Sequence, residues 1–301
     1  MAEQPAPGGT EATGNGPAAE FEEYRPLLLG LAYRLLGSMW DAEDVVQDAW
    51  LRWTRTERAT VREVRPFLVT VVSRLALDHL RSARARREIY TGPWLPEPVP
   101  AGVLGPMDTA ELRDTVSYAT VHLLERLTPP ERAVFVLREA FGLPYDDIAR
   151  TLRITAANCR QLCHRARERM AEGRDRFRAA PEEYARLADG FLRAARSGDL
   201  ASLAGLLSED VTAWSDGGGK VRAALRPIQG RDRVLAFLGG LLTRYRLTGV
   251  ETVESNGEPA LWMTAEGRGR LVTFGIREGR IHRVYGVLNP DKLARVDPAV
   301  T

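Results

Sequence analysis

The stretch 128–170 constrains the fold of this chain more than any other. It opens with Thr-Pro-Pro-Glu at 128–131, the pattern of a capped helix start with proline in its first turn. An apolar run at 133–137 continues this helix until Gly142 ends it. A short helix over 145–152 and a longer helix beyond it complete a predicted helix-turn-helix. The alternative is an ordinary three-helix packing unit with a solvated basic face.

Apolar spacing divides the last helix of this unit into two faces. Four residues are expected to face inward: Cys159, Cys163, Ala166 and Met170. The opposite face then carries the residues predicted to contact DNA: Asn158, Arg160, Gln161, His164 and Arg165. Arginine pairs with guanine, and asparagine or glutamine with adenine, so Arg160 and Gln161 are predicted to read bases. Arg165 and Arg167 are expected to hold phosphates.

Composition excludes several classes of protein. The 301 residues carry a net charge of +2, with 44% hydrophobic and 27% charged residues, which is typical of a chain with two or three globular domains. No stretch has the apolar length of a membrane span, and the N-terminus lacks a signal peptide pattern, so a cytoplasmic location is expected. The two cysteines and the neighbouring His164 lack a second pair of ligands. We therefore expect no metal site and no cofactor.

The first 19 residues are rich in Gly, Pro and Ala and are predicted to be a disordered leader. A helix with apolar residues from Phe21 to Leu35 follows, and a second helix opens at Asp41 and runs to Trp53. Its acidic and aromatic residues exceed what helix capping requires. They predict a face for a basic protein partner, carried by Asp41, Glu43, Asp44, Gln47, Asp48 and Trp53.

A third helix begins at Pro66 and carries a row of arginines suited to a phosphate backbone, among them Arg74, Arg81 and Arg84. The region 89–107 contains five prolines and is predicted to be a stiff linker that lies on a protein surface. A further helix is expected to start at Asp108 and to lead into the helix-turn-helix.

From Pro181 the pattern changes to two helices, a strand at 211–215, a helix at 230–245, and then strands. This order predicts an α+β cone over 181–301. Asp210, Asp216 and His282 are its candidate catalytic residues, although nothing in their spacing fixes a geometry. The loop Asp216–Lys220 lacks the spacing of a nucleotide-binding loop. We expect it to contact another part of the chain, with Lys220 as its charged anchor.

Three blocks resemble the extracytoplasmic-function sigma factors of bacterial RNA polymerase: AYRLLGSMWDAEDVVQDAWLRW, RPFLVTVVSRLALDHLRS and LTPPERAVFVLREAFGLPYDDIARTL. The resemblance implies a sigma region 2 bundle over 20–88 and a region 4 helix-turn-helix over 108–178. It also implies that the acidic helix docks on the clamp of the largest polymerase subunit, with the flap as a further polymerase contact. The helix with Arg74, Asp78, Arg81 and Arg84 would meet the promoter −10 element, and the helix from Asn158 the −35 element.

WLPEP, DGGGK and NPDKL resemble the signatures of a sigma factor subgroup with a fused SnoaL-like domain. That resemblance implies two all-α sigma modules followed by an α+β, NTF2/SnoaL-like cone that regulates in cis, without a separate anti-sigma protein. The implied interdomain residues are Trp94, Leu95, Pro96, Asp216, Gly217, Gly218, Gly219, Lys220, Asn289, Pro290, Asp291, Lys292 and Leu293. The function expected is a promoter-specificity subunit rather than an enzyme. A DNA-binding regulator that never joins the polymerase, or a cone with its own enzymatic activity, are the alternatives.

Overall fold

The computed structural model describes residues 16–88, 90–100, 102–104, 117–174 and 180–298. The first module consists of α1 (Pro17–Leu36), α2 (Met39–Thr54), a 3₁₀ turn (Arg58–Thr60) and α3 (Val64–Glu88). Gly37 ends α1 in the left-handed conformation (φ 68°), and the Ser38 side chain accepts from the amide of Asp41 to cap α2. Most of the predicted leader lies outside the described residues. Its last residues, 17–19, belong to α1, so the prediction of disorder up to residue 19 is wrong there.

The second module contains α4 (Tyr118–Leu124), α5 (Pro129–Glu139), α6 (Tyr145–Leu152) and α7 (Ala156–Arg174). The amide of Thr128 donates to the Glu131 carboxylate at 3.0 Å, as the capping pattern predicts. Arg153 adopts a left-handed conformation (φ 56°), which makes the turn between α6 and α7 tight. The helix-turn-helix is therefore confirmed as a fold. The helix start expected at Asp108 lies outside the described residues.

The two helical modules pack against each other around one continuous hydrophobic core. Arg132 of α5 is 2% exposed and donates to the backbone oxygen of Leu35 at the end of α1, at 2.7 Å. Arg74 of α3 donates to the backbone oxygen of Thr151 in α6, at 2.7 Å. The modules are therefore held together by side chains that satisfy carbonyls at helix ends.

The C-terminal domain combines α8 (Pro181–Ser197), α9 (Leu200–Leu206), α10 (Arg231–Arg244) and α11 (Pro290–Leu293) with one sheet. Its strands are β1 (Leu207–Asp216), β2 (Ile228–Gln229), β3 (Leu247–Ser255), β4 (Glu258–Ala265), β5 (Arg268–Arg277) and β6 (Arg280–Val287). The order is β2-β1-β6-β5-β4-β3, and β1 and β6 are parallel while the other neighbours are antiparallel. This is the predicted α+β cone, and the whole architecture has the predicted fold class.

Some predicted boundaries in this domain are wrong. β1 starts at Leu207, four residues before the predicted strand, because Leu207 is already buried and pairs with Ile281. β3 is not evident from the sequence, since it is a sheet edge whose exposed residues break the alternating pattern. The segment between Lys220 and Ile228 contains neither helix nor strand.

Both faces of the sheet are buried, by different parts of the chain. The inner face packs against α8, α9 and α10. The outer face forms a second cluster with Leu95 of the linker, Tyr118 of α4 and Leu293 of α11. The linker and the second helical module therefore lie directly on the cone. Within the described residues, no helix is both long and apolar enough to cross a membrane.

Candidate functional site

The acidic face of α2 is partly open and partly paired. Asp44, Gln47 and Asp48 are exposed. Asp41 lies 3.0 Å from Nε2 of His79, and Glu43 accepts two hydrogen bonds from Arg295, which follows α11 of the cone. The C-terminal domain thus reaches one residue of the predicted polymerase-binding face.

Trp53 differs from the other residues predicted for this face. Its side chain is 1% exposed, and its indole N–H donates to the backbone oxygen of Pro17 at 2.9 Å. The ring also packs near Phe67, with centroids 5.8 Å apart. Trp53 is therefore a core residue of the first module and not part of its acidic face, because only every third or fourth position of an amphipathic helix faces inward.

The arginines of α3 fall into different environments. Arg74 is held by the carbonyls of α6, so its guanidinium faces the second helical module. Arg81 is exposed and pairs with Asp78 at 3.2 Å, one turn earlier on the same helix. The side chain of Arg84 lies outside the described residues.

On α7 the two predicted faces separate as expected. Cys159, Cys163 and Ala166 are fully buried, and Met170 is 2% exposed. The five residues predicted to contact DNA are all exposed: Asn158, Arg160, Gln161, His164 and Arg165. Arg165 also lies 3.4 Å from Glu131 of α5, and Arg167 donates to Glu139. The face is therefore a polar surface fixed by ion pairs at its C-terminal side.

Asp216, at the end of β1, is the centre of the contact between the linker and the cone. Its side chain is fully buried and accepts hydrogen bonds from four donors. One oxygen accepts from the Tyr90 hydroxyl at 2.7 Å and from the amide of Gly218 at 3.1 Å. The other accepts from the amide of Leu95 at 2.9 Å and from Nζ of Lys292 at 2.7 Å. A buried carboxylate is thereby matched by one cation and three neutral donors.

Lys292 of α11 completes this contact from the other side. Its ammonium group also donates to the backbone oxygen of Leu95 and lies 4.0 Å from the ring centroid of Trp94. Asn289 caps α11 through the amide of Asp291 and donates to the Tyr90 hydroxyl at 2.9 Å. The structure therefore brings the three predicted interdomain segments together around Asp216 and Lys292.

The loop after Asp216 needs glycine because the chain passes so close to its neighbours. Gly218 has φ 58°, and a Cβ there would lie 2.3 Å from Nδ2 of Asn289 and 2.9 Å from the Tyr90 hydroxyl. Lys220 is exposed and pairs with Asp291 within the cone itself, at 2.7 Å. Lys220 therefore anchors the loop to α11, whereas the contact of the loop with the linker is made by Asp216.

A second contact connects the linker to the first helical module. Glu97 is 2% exposed, and its carboxylate accepts from the amide of Met39 at 2.7 Å, at the N-terminus of α2. Burial raises the pKa of Glu97, while the amides of Met39 and Trp40 and the charge of Arg295 oppose that rise. Arg295 lies 3.4 Å from Glu97 and 4.5 Å from the ring centroid of Trp40. Glu97 therefore couples the linker, α2 and the C-terminal domain.

Several residues of this contact were not predicted from the sequence: Tyr90, Glu97, Arg295, Tyr33, Asn256 and His122. Nδ2 of Asn256 donates to the Tyr33 hydroxyl at 2.7 Å, and that hydroxyl donates to the backbone oxygen of Glu97 at 2.8 Å. The sequence offered one signal for this contact, which was Glu97 itself, a charged residue within an apolar, proline-rich run. A charged residue in such a run must find partners when it is buried. Pairings between residues more than 200 positions apart leave no local pattern.

The candidate catalytic residues of the cone do not converge on a cavity. Nδ1 of His282 lies 2.9 Å from Asp210, whose carboxylate is also near Arg277. Burial lowers the pKa of His282, and the Asp210 charge offsets part of that effect. Asp216 is committed to the linker contact. None of the three lines the internal cavity of the cone, and the described residues hold no cluster of three or more metal-ligating side chains.

Comparison with known proteins identifies the family. The chain is 38% identical over 289 residues to the ECF RNA polymerase sigma factor SigJ of Mycobacterium tuberculosis, an alignment covering 91% of this chain and 92% of that protein. The chain belongs to the extracytoplasmic-function sigma factors. Family models match this sigma factor as sigma-70 region 2 over residues 21–86 and sigma-70 region 4 over residues 119–170. These ranges coincide with the two helical modules.

Two further similarities extend beyond the helical modules. The sigma factor resembles the crystal structure of M. tuberculosis SigJ with a TM-score of 0.76 and 34% identity, covering 92% of this chain and 98% of that chain. It is also 33% identical over 282 residues to the probable ECF sigma factor SigI of the same species, covering 92% of this chain and 94% of that protein. The predicted family and the predicted function in transcription are therefore confirmed.

Proposed function

We propose that this sigma factor contacts the polymerase and the promoter through four separate surfaces. The exposed residues Asp44, Gln47 and Asp48 of α2 bind the clamp of the largest polymerase subunit, and the second module approaches the flap. The arginines of α3 meet the −10 element, and the exposed face of α7 reads the −35 element. The exposure of all five predicted residues on α7 supports this assignment. Cytoplasmic location follows from the proposed partners.

The conformation described above is proposed to be a closed form that cannot engage a promoter. The two promoter elements are separated by about 25 base pairs, or roughly 85 Å at about 3.4 Å per base pair. Helices α3 and α6 touch through Arg74, which is itself predicted to contact DNA. The two modules would have to separate before both elements are bound.

The C-terminal cone is proposed to hold this closed form in cis, as a binding domain without turnover. The observation that carries this proposal is the buried contact of Asp216 and Lys292 with Tyr90 and Leu95 of the linker. Arg295 adds to it by pairing with Glu43 on the proposed polymerase-binding face. On this basis the cone inhibits promoter binding by the helical modules, and a separate anti-sigma protein is not required.

Run-off transcription with core RNA polymerase and a cognate promoter tests the polymerase contact. The variant Asp44→Lys with Asp48→Lys should lower transcript yield at least about tenfold, because two exposed charges at an interface are reversed. The matched control reverses two exposed acids on the cone, Glu251→Lys with Glu254→Lys. That control should leave transcript yield close to wild type.

Promoter-duplex binding by the protein alone separates this proposal from the alternative of a polymerase-independent regulator. Tight binding without polymerase, together with full activity of the Asp44 and Asp48 variant, would support the alternative. No stimulation of initiation by the wild-type chain, and none by a chain whose linker contact is weakened by Tyr90→Phe, would refute the proposed function outright.

A further inference from the structure

The cone encloses a cavity of about 530 Å³ between the inner face of its sheet and helices α8, α9 and α10. This volume lies within the range of roughly 300–1,000 Å³ typical of small-molecule sites. Aromatic and aliphatic side chains from helices and strands make up most of its wall, including Phe191, Phe237, Met263, Val272 and Val284. Alanine and glycine at several lining positions leave the space open. The wall therefore suits an apolar molecule.

The charges around this cavity all have one sign. Arg222, Arg244 and Arg270 line it, and no aspartate or glutamate is among the described lining residues. Arg222 and Arg244 are exposed at its rim, whereas Arg270 on β5 is partly buried. An apolar cavity with only cations in its wall favours a ligand that carries a negative charge.

Arg270 is the residue that points most clearly to a ligand. Its Nε is buried without a hydrogen-bond partner among the described residues. The guanidinium lies 4.5 Å from the ring centroid of Tyr245, and burial lowers the pKa of Arg270 from its ordinary value. Among the described residues no carboxylate lies within ion-pair distance of this partly buried guanidinium, although the charge of Glu266 offsets part of the effect of burial. Its fork of donors matches a carboxylate in geometry.

We propose that this cavity binds a small organic acid, with its apolar body against the sheet and its carboxylate on Arg270. The site is next to the linker contact described above. Ala213 and Ser215 of β1 line the cavity, and Asp216 is the next residue of the same strand. The segment with Arg222 and Ala224 also lines it and continues to Leu225, which lies beside Gly92 of the linker. A bound acid is thus placed to act as an effector, a role that rests on the proposed cis regulation.

Equilibrium binding to the full-length chain tests the site with two probe pairs. The acids are decanoate and 1-naphthoate, and their neutral counterparts are decanol and 1-naphthamide. Titration calorimetry should give saturable binding of at least one acid, at least about tenfold tighter than its neutral counterpart, because one partner of the charged hydrogen bond is lost. Equal affinities, or no saturable binding of either acid, would overturn the proposal without any variant being made.

Variants then test whether Arg270 provides the positive charge that binds the carboxylate of the acid. Arg270→Met should weaken binding of the acid about tenfold to hundredfold and leave the neutral probe unchanged, while Arg270→Lys should retain part of the affinity. Arg268→Met is the matched control, since Arg268 is exposed on the same strand and does not line the cavity. An unchanged affinity of Arg270→Met for the acid would overturn the assignment.

The effector role has its own readout. Saturating acid should change run-off transcription by the wild-type chain and leave transcription by Arg270→Met unchanged. Binding without any change in transcript yield would keep the site and overturn its role as an effector. A failure of the proposed cis regulation would look different. In that case, variants of the linker contact would leave transcript yield unchanged even in the absence of any acid.

Discussion

Replacing Tyr90 with phenylalanine tests whether the linker contact holds the closed form. The Tyr90 hydroxyl donates to the buried Asp216 carboxylate at 2.7 Å and accepts from Asn289 at 2.9 Å. Burial and the Asp216 carboxylate raise the pKa of Tyr90, so the hydroxyl remains protonated and able to donate at any ordinary pH. The variant removes both hydrogen bonds and changes no side chain of the cone itself.

The expected magnitude follows from these two contacts. A hydrogen bond to a charged group contributes about 1.5–3 kcal/mol and a neutral one about 0.5–1.5 kcal/mol. Tyr90 is only partly buried, so water can replace part of the lost hydrogen bonding. We therefore expect the free energy that holds the linker on the cone to fall by about 2 kcal/mol. At about 1.4 kcal/mol per factor of ten, the open fraction should rise about 30-fold.

Hydrogen exchange at single amides measures that opening. The amides of Leu95 and Val99 donate to Asp216 and Asn256 of the cone, so both should exchange about 30-fold faster in the variant. The amide of Glu97 donates to Gly37 in the first module and should not change. Transcript yield should rise in parallel.

Tyr24→Phe is the matched control, because Tyr24 is a partly buried tyrosine on α1 that packs against the core of the two helical modules. It should leave exchange at Leu95 and Val99 unchanged. If Tyr90→Phe also left these two amides unchanged, the linker contact would not hold the closed form and the reasoning would fail.

Two further predictions concern pH and DNA. His122 of α4 packs on the cone against Trp214 and Tyr285, and burial, with Arg283 and Arg126 nearby, lowers its pKa to about 3. The undocked state, with an ordinary pKa of about 6.5, binds the proton first, so docking weakens as pH falls from about 6.5 towards 3. At about pH 5.5 the loss is about 1.4 kcal/mol, so the protection factor of the Leu95 amide, measured against the intrinsic exchange rate at the same pH, should fall about tenfold. His122→Phe should abolish this dependence. On −35 duplexes, Arg160→Ala should cost about 1–3 kcal/mol and relax base preference, whereas Arg165→Ala should weaken binding to all sequences alike and reduce the salt slope by about one. Fluorescence anisotropy over several salt concentrations separates the two, and equal loss of base preference in both variants would contradict the assignment.

The sequence was most informative where local rules apply. The helix-turn-helix followed from a capping pattern, a glycine stop and apolar spacing, and the same spacing placed Cys159 and Cys163 inward on α7. These patterns lie within single elements or short loops, which is why they are readable from the chain alone. The segments around Trp94, Asp216 and Asn289 also meet in the structure, but they were expected to meet because of the resemblance to a sigma factor subgroup and not because of a local rule.

Prediction was weaker where partners are distant in the chain. Helical spacing did not separate Trp53, a core residue, from the exposed acids of α2, because the tryptophan lies at the helix end where both faces are plausible. Lys220 was expected to anchor the glycine loop and does pair with Asp291, but the buried contact with the linker is made by Asp216, since only the three-dimensional structure shows which charge is desolvated. Glu97 and Arg295 met the same difficulty, because nearly 200 residues separate them.

The outer face of the cone sheet has a consequence for how the closed form could respond in a cell. This face, with Leu95, Tyr118 and Leu293 in its cluster, is apolar, so opening exposes it to water. The open form is then stabilised chiefly by the partner that binds it. By mass action, the fraction of open chain therefore depends on the concentration of free core polymerase. The closed form would in this way make the chain a sensor of polymerase supply, engaged when unoccupied polymerase is abundant and silent when other sigma factors have taken it.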